Sequence, residues 1–412
     1  MRGVTLIAKF LLIFYMAIKL SVIDLGLYGF ITATIFASVY ISGLEYGHFA
    51  ARQIINCKNF LCQQKTVVNL TLFCLIMFVF VSPFSYLFIS SKIALDLEVF
   101  ILIFIIIYGE SYFAEHKKIL ISLNKPFYSA IVDFVKTGLW AYLIVFLVML
   151  DVIELSITSI LFMWSLFLVI ACILVFFKLI HYYDKAMILS LPSIKSYRKQ
   201  IYSSFPFFIC GISLIIFEIS GRLSLQFIDA QVEAGIYTLY SGFIFAIPLF
   251  VWSSSVAFDH SKIMIAHENG EIGKSDNLVI LMIKRSLLIS LALVLFLFFT
   301  FDLLLTLIEK DEFKNSINDF YLFLLVPFFH IIDSHLHYML YTRKKDKINS
   351  ISSLSGVFLL VIIQFLTISK YGLKAVIFSI ISALTISIVL KIIFIKRSII
   401  QERDLLIKPF PK

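Results

Sequence analysis

Long apolar runs separated by short polar segments follow one another along the whole chain. A run of about 20 apolar residues is the length that an α-helix needs to cross the hydrocarbon core of a bilayer. The runs are continuous, unlike the roughly ten-residue alternating strands of a membrane β-barrel. The pattern therefore predicts about twelve transmembrane helices, at residues 4–22, 27–47, 67–89, 98–121, 127–150, 156–179, 203–226, 234–258, 283–308, 319–341, 350–369 and 372–395.

Composition supports the membrane class. Hydrophobic residues make up 61% of the chain and charged residues 15%. Soluble globular domains are nearer half apolar and a quarter charged, so a soluble fold could not hide this much apolar surface. Unpaired backbone groups are too costly in lipid for open sheets or loops to span it. The predicted fold class is therefore all-α and integral to the membrane.

The basic residues between the predicted helices are distributed very unevenly. Alternate connections, together with the two termini, hold 25 of the lysines and arginines, and the remaining connections hold five. The positive-inside rule places the richer side in the cytoplasm, so both termini are predicted to be cytoplasmic. An even number of helices agrees with this. The net charge of +9 is thus explained by helix ends and gives no reason to expect nucleic acid as a partner.

A short motif occurs once in each half of the chain. An acidic loop leads into Leu-Gly-Leu-Tyr at residues 25–28, and another leads into Ala-Gly-Ile-Tyr at residues 234–237. The spacing of about half the chain predicts two six-helix lobes related by a parallel repeat. The predicted domains are an N-terminal lobe, a cytoplasmic linker, a C-terminal lobe and a cytoplasmic tail, at residues 1–180, 181–202, 203–396 and 397–412.

We consider nine of the ionisable residues that fall inside the predicted spans. Such residues are rare and costly in apolar surroundings, so each is a candidate for a functional role. The basic members are Lys9, Lys19, Lys136, Arg222 and Lys391, and the acidic members are Glu110, Asp133, Glu218 and Asp333.

Each of these charges also has a structural interpretation. Glu218 and Arg222 are spaced i, i+4, and Asp133 and Lys136 are spaced i, i+3, so either pair could neutralise itself on one helix face. Snorkelling to the headgroups would account for Lys9, Lys19 and Lys391. The alternative is that these charges face a polar cavity and bind an anion.

Motifs for enzymes, metals and cofactors are not found in the sequence. The segment Gly270–Ser275 resembles a phosphate-binding loop but lacks its first glycine, because that position is Glu268. His330, Asp333 and His337 share one helix face, which we interpret as a polar stripe and not as a metal site. We expect a transporter that needs no cofactor.

The layout and the paired motifs resemble the O-antigen and polysaccharide-repeat flippases of the multidrug/oligosaccharidyl-lipid/polysaccharide exporter superfamily. The likeness includes Leu25-Gly-Leu-Tyr-Gly29, Ser42-Gly-Leu-Glu-Tyr-Gly47 and Arg52 in the first half, and Arg222 followed by Ala-Gly-Ile-Tyr in the second. It implies a MATE-like fold and a location in the bacterial inner membrane.

The resemblance further implies movement of an undecaprenyl-pyrophosphate-linked oligosaccharide from the cytoplasmic to the periplasmic leaflet by alternating access. A polysaccharide polymerase and a chain-length regulator would be its partners, together with membrane lipids. Binding of the pyrophosphate is then expected at Arg222, Lys9, Lys19 and Lys136, with Arg52 at the cytoplasmic mouth. Ion coupling is expected at Glu110, Asp133, Glu218 or Asp333.

Two other functions stay open at this point. A multidrug antiporter of the same superfamily would share the fold, although cationic drugs favour acids over unpaired lysines. A multispan polysaccharide polymerase would be an enzyme, but such proteins usually carry a large periplasmic loop, and the outside connections predicted here are short.

Overall fold

The computed structural model describes residues 2–57, 59–93, 96–183 and 194–407. All regular structure in these residues is helical, with a few short π and 3-10 turns. Residues 184–193 of the predicted linker and 408–412 of the predicted tail lie outside the described residues.

The chain begins with a long series of helices joined by short turns. The first eight are α1 (Arg2–Lys19), α2 (Val22–Gly43), α3 (Tyr46–Asn56), α4 (Phe60–Ser90), α5 (Leu97–Ser122), α6 (Pro126–Phe134), α7 (Trp140–Met149) and α8 (Ile157–Leu179). A π turn, Val135–Leu139, joins α6 to α7 without a break.

The second part of the chain continues in the same way. Its helices are α9 (Ile194–Phe227), α10 (Gln231–Ile244), α11 (Ala246–Val251), α12 (Ala257–Glu268), α13 (Ile272–Ile308), α14 (Asp311–Asn315), α15 (Ile317–Phe323), α16 (Val326–Thr342) and α17 (Asp346–Ile407). A second π turn, Trp252–Val256, lies between α11 and α12.

The number of membrane crossings agrees with the sequence pattern. Among the described residues, ten helical segments are long and apolar enough to span a bilayer. The last of them, Asp346–Ile400, has 55 residues and is broken at Gly372, where φ is 50°. Each side of this break exceeds the 20 or so residues that a crossing needs. With the 18-residue α1, the total is about twelve crossings, as predicted.

Local sequence explains where several helices begin. Ser21 caps α2 by accepting a hydrogen bond of 3.0 Å from the Asp24 amide, and Asn59 caps α4 in the same way. Ser156 and Ser159 form a reciprocal capping box at the start of α8. These side chains satisfy amide groups that the first turn of a helix leaves unpaired.

The helices form two compact units, residues 1–239 and residues 240–412. In unit 1, α2 packs against α4, α5 and α9, and α5 packs against α8. In unit 2, α16 packs against α17 and α13. The predicted limits of the lobes and the cytoplasmic position of the termini stay predictions.

A disulfide joins Cys57, directly after α3, to Cys62 in the first turn of α4 and so spans the connection between these helices. The charge pattern assigns this connection to the cytoplasm, where stable disulfides are rare. The disulfide was not predicted from the sequence.

The two copies of the repeated motif meet inside unit 1. A Cβ atom added to Gly26 would lie 2.9 Å from the Gly235 nitrogen and 2.8 Å from the Gln231 carbonyl oxygen. A Cβ atom added to Gly235 would overlap the Val22 carbonyl oxygen. The backbones of α2 and α10 are therefore in contact at these two glycines. Small residues allow such close approach between helices in membranes.

We predict that Gly235→Ala destabilises the protein, because the new methyl group has no space between the two backbones. Overpacking of this kind costs roughly 1–3 kcal/mol, so the thermal-unfolding midpoint of the detergent-purified protein should fall by several degrees. Gly273→Ala is the matched control, since a Cβ there meets nothing within 4 Å. Equal midpoints for the two variants would contradict the close contact.

Candidate functional site

Glu110 is held by two neighbouring helices of unit 1. One carboxylate oxygen is 2.6 Å from Lys136 Nζ, and Trp164 Nε1 donates a 2.9 Å hydrogen bond to the other. The Lys136 ammonium also lies 4.9 Å from the centre of the Phe113 ring. Both oxygens of Glu110 are thus occupied, and Lys136 is held in one orientation.

Asp133 forms its ion pair with a residue of the preceding helix. Its carboxylate oxygen is 2.7 Å from Lys117 Nζ at the end of α5, whereas Lys136, three residues further along, pairs with Glu110. Two ion pairs therefore join α5 to the helix that follows it. Each pair neutralises one acid that would otherwise be isolated among apolar helices.

Lys9 differs from these lysines because it is exposed and has no hydrogen-bond or ion-pair partner among the described residues. The charges of Glu110, Asp133, Lys136 and Glu218 all act on it. α1 also contacts the π turn that carries Lys136. Lys9 is thus exposed on the side where charged residues from three other helical segments converge.

Arg222 and Glu218 lie one turn apart on α9, and both are half-buried. Arg222 Nη1 donates a 3.4 Å hydrogen bond to Thr32 Oγ1 of α2, and its charge acts on Tyr28 and Tyr237. The Glu218 carboxylate makes no hydrogen bond or ion pair with the described residues, although the charges of Arg222 and Lys9 act on it.

Two of the predicted binding residues lie apart from this group. Lys19 is the exposed last residue of α1, about 15 Å along the helix from Lys9. Arg52 of α3 places its guanidinium 5.0 Å from the centre of the Phe207 ring. The structure therefore brings together Lys9, Lys136, Glu110, Asp133, Glu218 and Arg222, which we call the unit 1 charge cluster.

Unit 2 contains a separate ion pair, between Asp333 of α16 and Lys391 of α17. The atoms Oδ1 and Nζ are 2.7 Å apart, and each side chain is only 1% exposed. Ser387 donates a 2.6 Å hydrogen bond to the same Asp333 oxygen. The snorkelling predicted for Lys391 is therefore wrong, because its ammonium lies inside the unit and does not reach the headgroups.

The histidines near Asp333 have other partners. His330 lies beside Ser334, and His337 Nδ1 is 2.5 Å from Asn349 Nδ2. In the part of the chain that the structure describes, no three His, Cys, Asp or Glu side chains are placed to hold a metal ion.

A further charged group lies where α2 turns into α3. Lys118 Nζ is 2.5 Å from Glu45 and 3.1 Å from Glu115, and the Gly47 amide donates to the other Glu115 oxygen. Burial opposes ionisation of Glu45, but its hydrogen bond to His48 and its ion pair with Lys118 hold the pKa of Glu45 at about 2. Because Glu45 follows the span Val22–Gly43, this group fixes the turn at one end of that span.

Several of these partners were not predicted from the sequence. The positions of Glu110 and Lys136 along their helices could have predicted that they pair. Glu110 is twelve residues before the end of α5, and Lys136 is ten residues after the start of α6. Residues at similar distances from a tight turn face each other in antiparallel helices. The pairing of Trp164 with Glu110 and of Lys391 with Asp333 could not be predicted in this way, because the paired residues do not lie on two helices joined by one tight turn.

No protein-family model and no curated protein sequence matches the chain. Solved structures match over nearly its full length. A multidrug resistance MATE family transporter of the MOP superfamily, in an inward-facing conformation, matches with a TM-score of 0.74 and 14% identity, covering 98% of this chain and 95% of that one. The lipid II flippase MurJ, in an inward closed conformation, matches with a TM-score of 0.70 and 17% identity, covering 100% and 91%.

This chain has the fold of MATE and MurJ. A MOP superfamily transporter from Pyrococcus furiosus also matches, with a TM-score of 0.60 and 13% identity over 99% of this chain and 96% of that one. The predicted MATE-like, all-α membrane fold is thus confirmed. Sequence identities this low show a shared fold but do not identify the substrate.

We predict that Asp333→Asn strongly destabilises the protein, because it leaves the Lys391 ammonium buried without a counter-charge. Removing one partner of a buried pair costs roughly 3–5 kcal/mol, which should be visible as a lower unfolding midpoint in detergent. Lys391→Met in the same background should restore most of the loss. If Asp333→Asn has no larger effect than Asp311→Asn, at an exposed acid on α14, the pair does not stabilise unit 2.

The ionised form of Glu45 should stabilise the α2–α3 turn in a pH-dependent manner. Its pKa of about 2 in the folded state is below the ordinary value of 4.5, so its contribution is complete above pH 4.5 and is lost as the pH falls toward 2. The unfolding midpoint of Glu45→Gln should therefore be lower than that of the native protein at pH 7, and the gap should narrow at pH 3. A gap that is independent of pH would contradict this assignment.

Proposed function

We propose that the protein is a flippase for an undecaprenyl-pyrophosphate-linked oligosaccharide, a repeat unit of O-antigen or a similar surface polysaccharide. It would carry the headgroup from the cytoplasmic to the periplasmic leaflet of the bacterial inner membrane by alternating access. Both termini would be cytoplasmic. A polymerase and a chain-length regulator would act on the product.

The observation that carries this proposal is the exposed Lys9, whose charge interacts with that of Lys136 and which shares the unit 1 charge cluster with Arg222. A pyrophosphate is a multivalent anion, and moving it through an apolar layer without positive partners would be prohibitively costly. Lysine and arginine bind phosphate oxygens with charge-assisted hydrogen bonds. Because no described carboxylate pairs with Lys9, its ammonium can bind a phosphate without first breaking an ion pair.

The other cations would have supporting roles. Lys136 is tied to Glu110, so it would add positive potential more than a direct contact. Arg52 would attract the headgroup at the predicted cytoplasmic mouth, and Lys19 would lie toward the opposite end of α1. Among the acids, Glu110, Asp133 and Asp333 would each have to leave an ion pair to bind a coupling ion, whereas Glu218 would not.

The fold is compatible with this function. One protein that shares it, MurJ, is a lipid II flippase. Drug transporters of the MATE family also share it, so multidrug antiport is the second candidate. The open Glu218 carboxylate is the observation that favours a cationic drug, and the lysine and arginine around it oppose one.

A flipping assay on the purified protein would test the proposal. Vesicles would carry the lipid-linked oligosaccharide in one leaflet, and a membrane-impermeant sugar-modifying enzyme would report its arrival in the other. Arg222→Ala and Lys9→Ala should each lower the rate by roughly tenfold or more, since a lost hydrogen bond to a charged group costs about 1.5–3 kcal/mol.

Lys370→Ala is the control for this assay, because Lys370 lies outside the cluster, beside the Tyr371 ring. It should leave the rate unchanged. Absence of protein-dependent flipping, with and without an imposed proton gradient, would refute the flippase and favour the drug antiporter. Normal rates in both cluster variants would refute the cationic site.

A further inference from the structure

Two lysines and two tyrosines lie where the start of α6 meets the end of α8 in unit 1. Lys178 of α8 places its ammonium 5.0 Å from the centre of the Tyr128 ring of α6. Lys125, which directly precedes α6, lies 5.9 Å from the centre of the Tyr182 ring, in the 3-10 turn that follows α8. Each helix end thus holds the lysine of the other against an aromatic ring, at distances where the ring attracts an ammonium.

Contacts with neighbouring helices fix both rings. The Tyr128 hydroxyl donates a 2.8 Å hydrogen bond to the Leu174 carbonyl oxygen of α8. The Tyr182 ring packs against Phe60 at the start of α4, with ring centres 5.1 Å apart. Three helices therefore define where the two rings lie, and with them where the two ammonium groups are held.

Neither lysine pairs with a carboxylate of the described residues. Lys117, at the end of the preceding helix α5, differs because it pairs with Asp133. The two unpaired charges act on each other instead. Burial, and after it the charge of Lys178, holds the pKa of Lys125 below its usual range. An anion placed between the two ammonium groups would relieve their repulsion.

Apolar side chains beside the lysines are exposed. Phe127 and Phe177 are 71% and 63% exposed, and Ile180 is also exposed. All three belong to helical segments that are long and apolar enough to span a bilayer, so their exposed surface suits lipid. The charge pattern predicts that this end of the segments is cytoplasmic, and the cytoplasmic leaflet carries anionic lipids. Two cations beside an apolar surface fit a lipid with a negative headgroup.

We propose that Lys125 and Lys178 bind the phosphate headgroup of an anionic phospholipid in the cytoplasmic leaflet, with its acyl chains lying along Phe127 and Phe177. Basic pockets between transmembrane helices on this side of a membrane suit such headgroups. A lysine already held against a ring loses less conformational freedom when it binds phosphate oxygens. The lipid would bridge α6 and α8. None of these residues belongs to the unit 1 charge cluster, so the site does not depend on the proposed function.

Native mass spectrometry of the purified full-length protein would measure the apparent Kd of added phosphatidylglycerol, an anionic phospholipid. The double variant Lys125→Gln, Lys178→Gln should bind it roughly thirtyfold more weakly, which corresponds to about 1 kcal/mol for each lysine near a membrane surface. Each single variant should lose roughly fivefold, and serves if the double variant fails to fold. Lys125→Arg with Lys178→Arg should keep the affinity, since both charges remain.

The matched control is the double variant Lys262→Gln, Lys274→Gln, which makes the same change in net charge. Both lysines are exposed and already have carboxylate partners, Asp259 and Glu271. Its affinity for phosphatidylglycerol should equal that of the native protein. Equal weakening in this control, or none in the site variants, would refute the site. Equal native affinity for zwitterionic phosphatidylcholine, or displacement of the lipid by an equal concentration of glycerol phosphate, would refute recognition of an anionic lipid.

Discussion

Pairing with an opposite charge at hydrogen-bond distance stabilises a charge among apolar helices, and such pairing occurs in both units of the protein. In unit 1 it ties Glu110 to Lys136, and in unit 2 it ties Asp333 to Lys391. The two acids occupy corresponding positions of the predicted repeat, but their lysines come from different helices. The unit 2 pair is closed off from solvent, whereas the unit 1 pair lies among further charges. The same rule thus gives a structural pair in one unit and part of a candidate site in the other.

The features read correctly from sequence are those set by local chemistry. The membrane class and the number of crossings follow from the lengths of apolar runs, because each crossing must satisfy its own backbone hydrogen bonds. The predicted site residues converge only in part, since Lys19 and Arg52 lie away from the cluster. Helical spacing places residues on a face but does not show which face meets which neighbour. Periodicity therefore could not predict the pairing of Asp333 with Lys391, which are separated by 58 positions in the sequence.

The local backbone determines which partner a charged residue contacts. Lys136 lies in a π turn, where one extra residue turns the side chains relative to a regular helix. That turn directs Lys136 to α5 even though Asp133 is nearer in sequence. At the α2–α3 turn, glycines leave space for a buried carboxylate, since a Cβ on Gly43 would come within 2.7 Å of Glu115. Backbone irregularities and missing side chains thus position the charged groups.

The contact between Gly26 and Gly235 brings two copies of one motif against each other. A residue that touches its own equivalent lies beside the axis that relates the copies, as in an isologous dimer interface. In the predicted repeat, this contact is thus the one across which the two six-helix halves would meet at equivalent positions. Neither glycine can gain a side chain unless the opposing backbone moves, so each position limits what the other can hold.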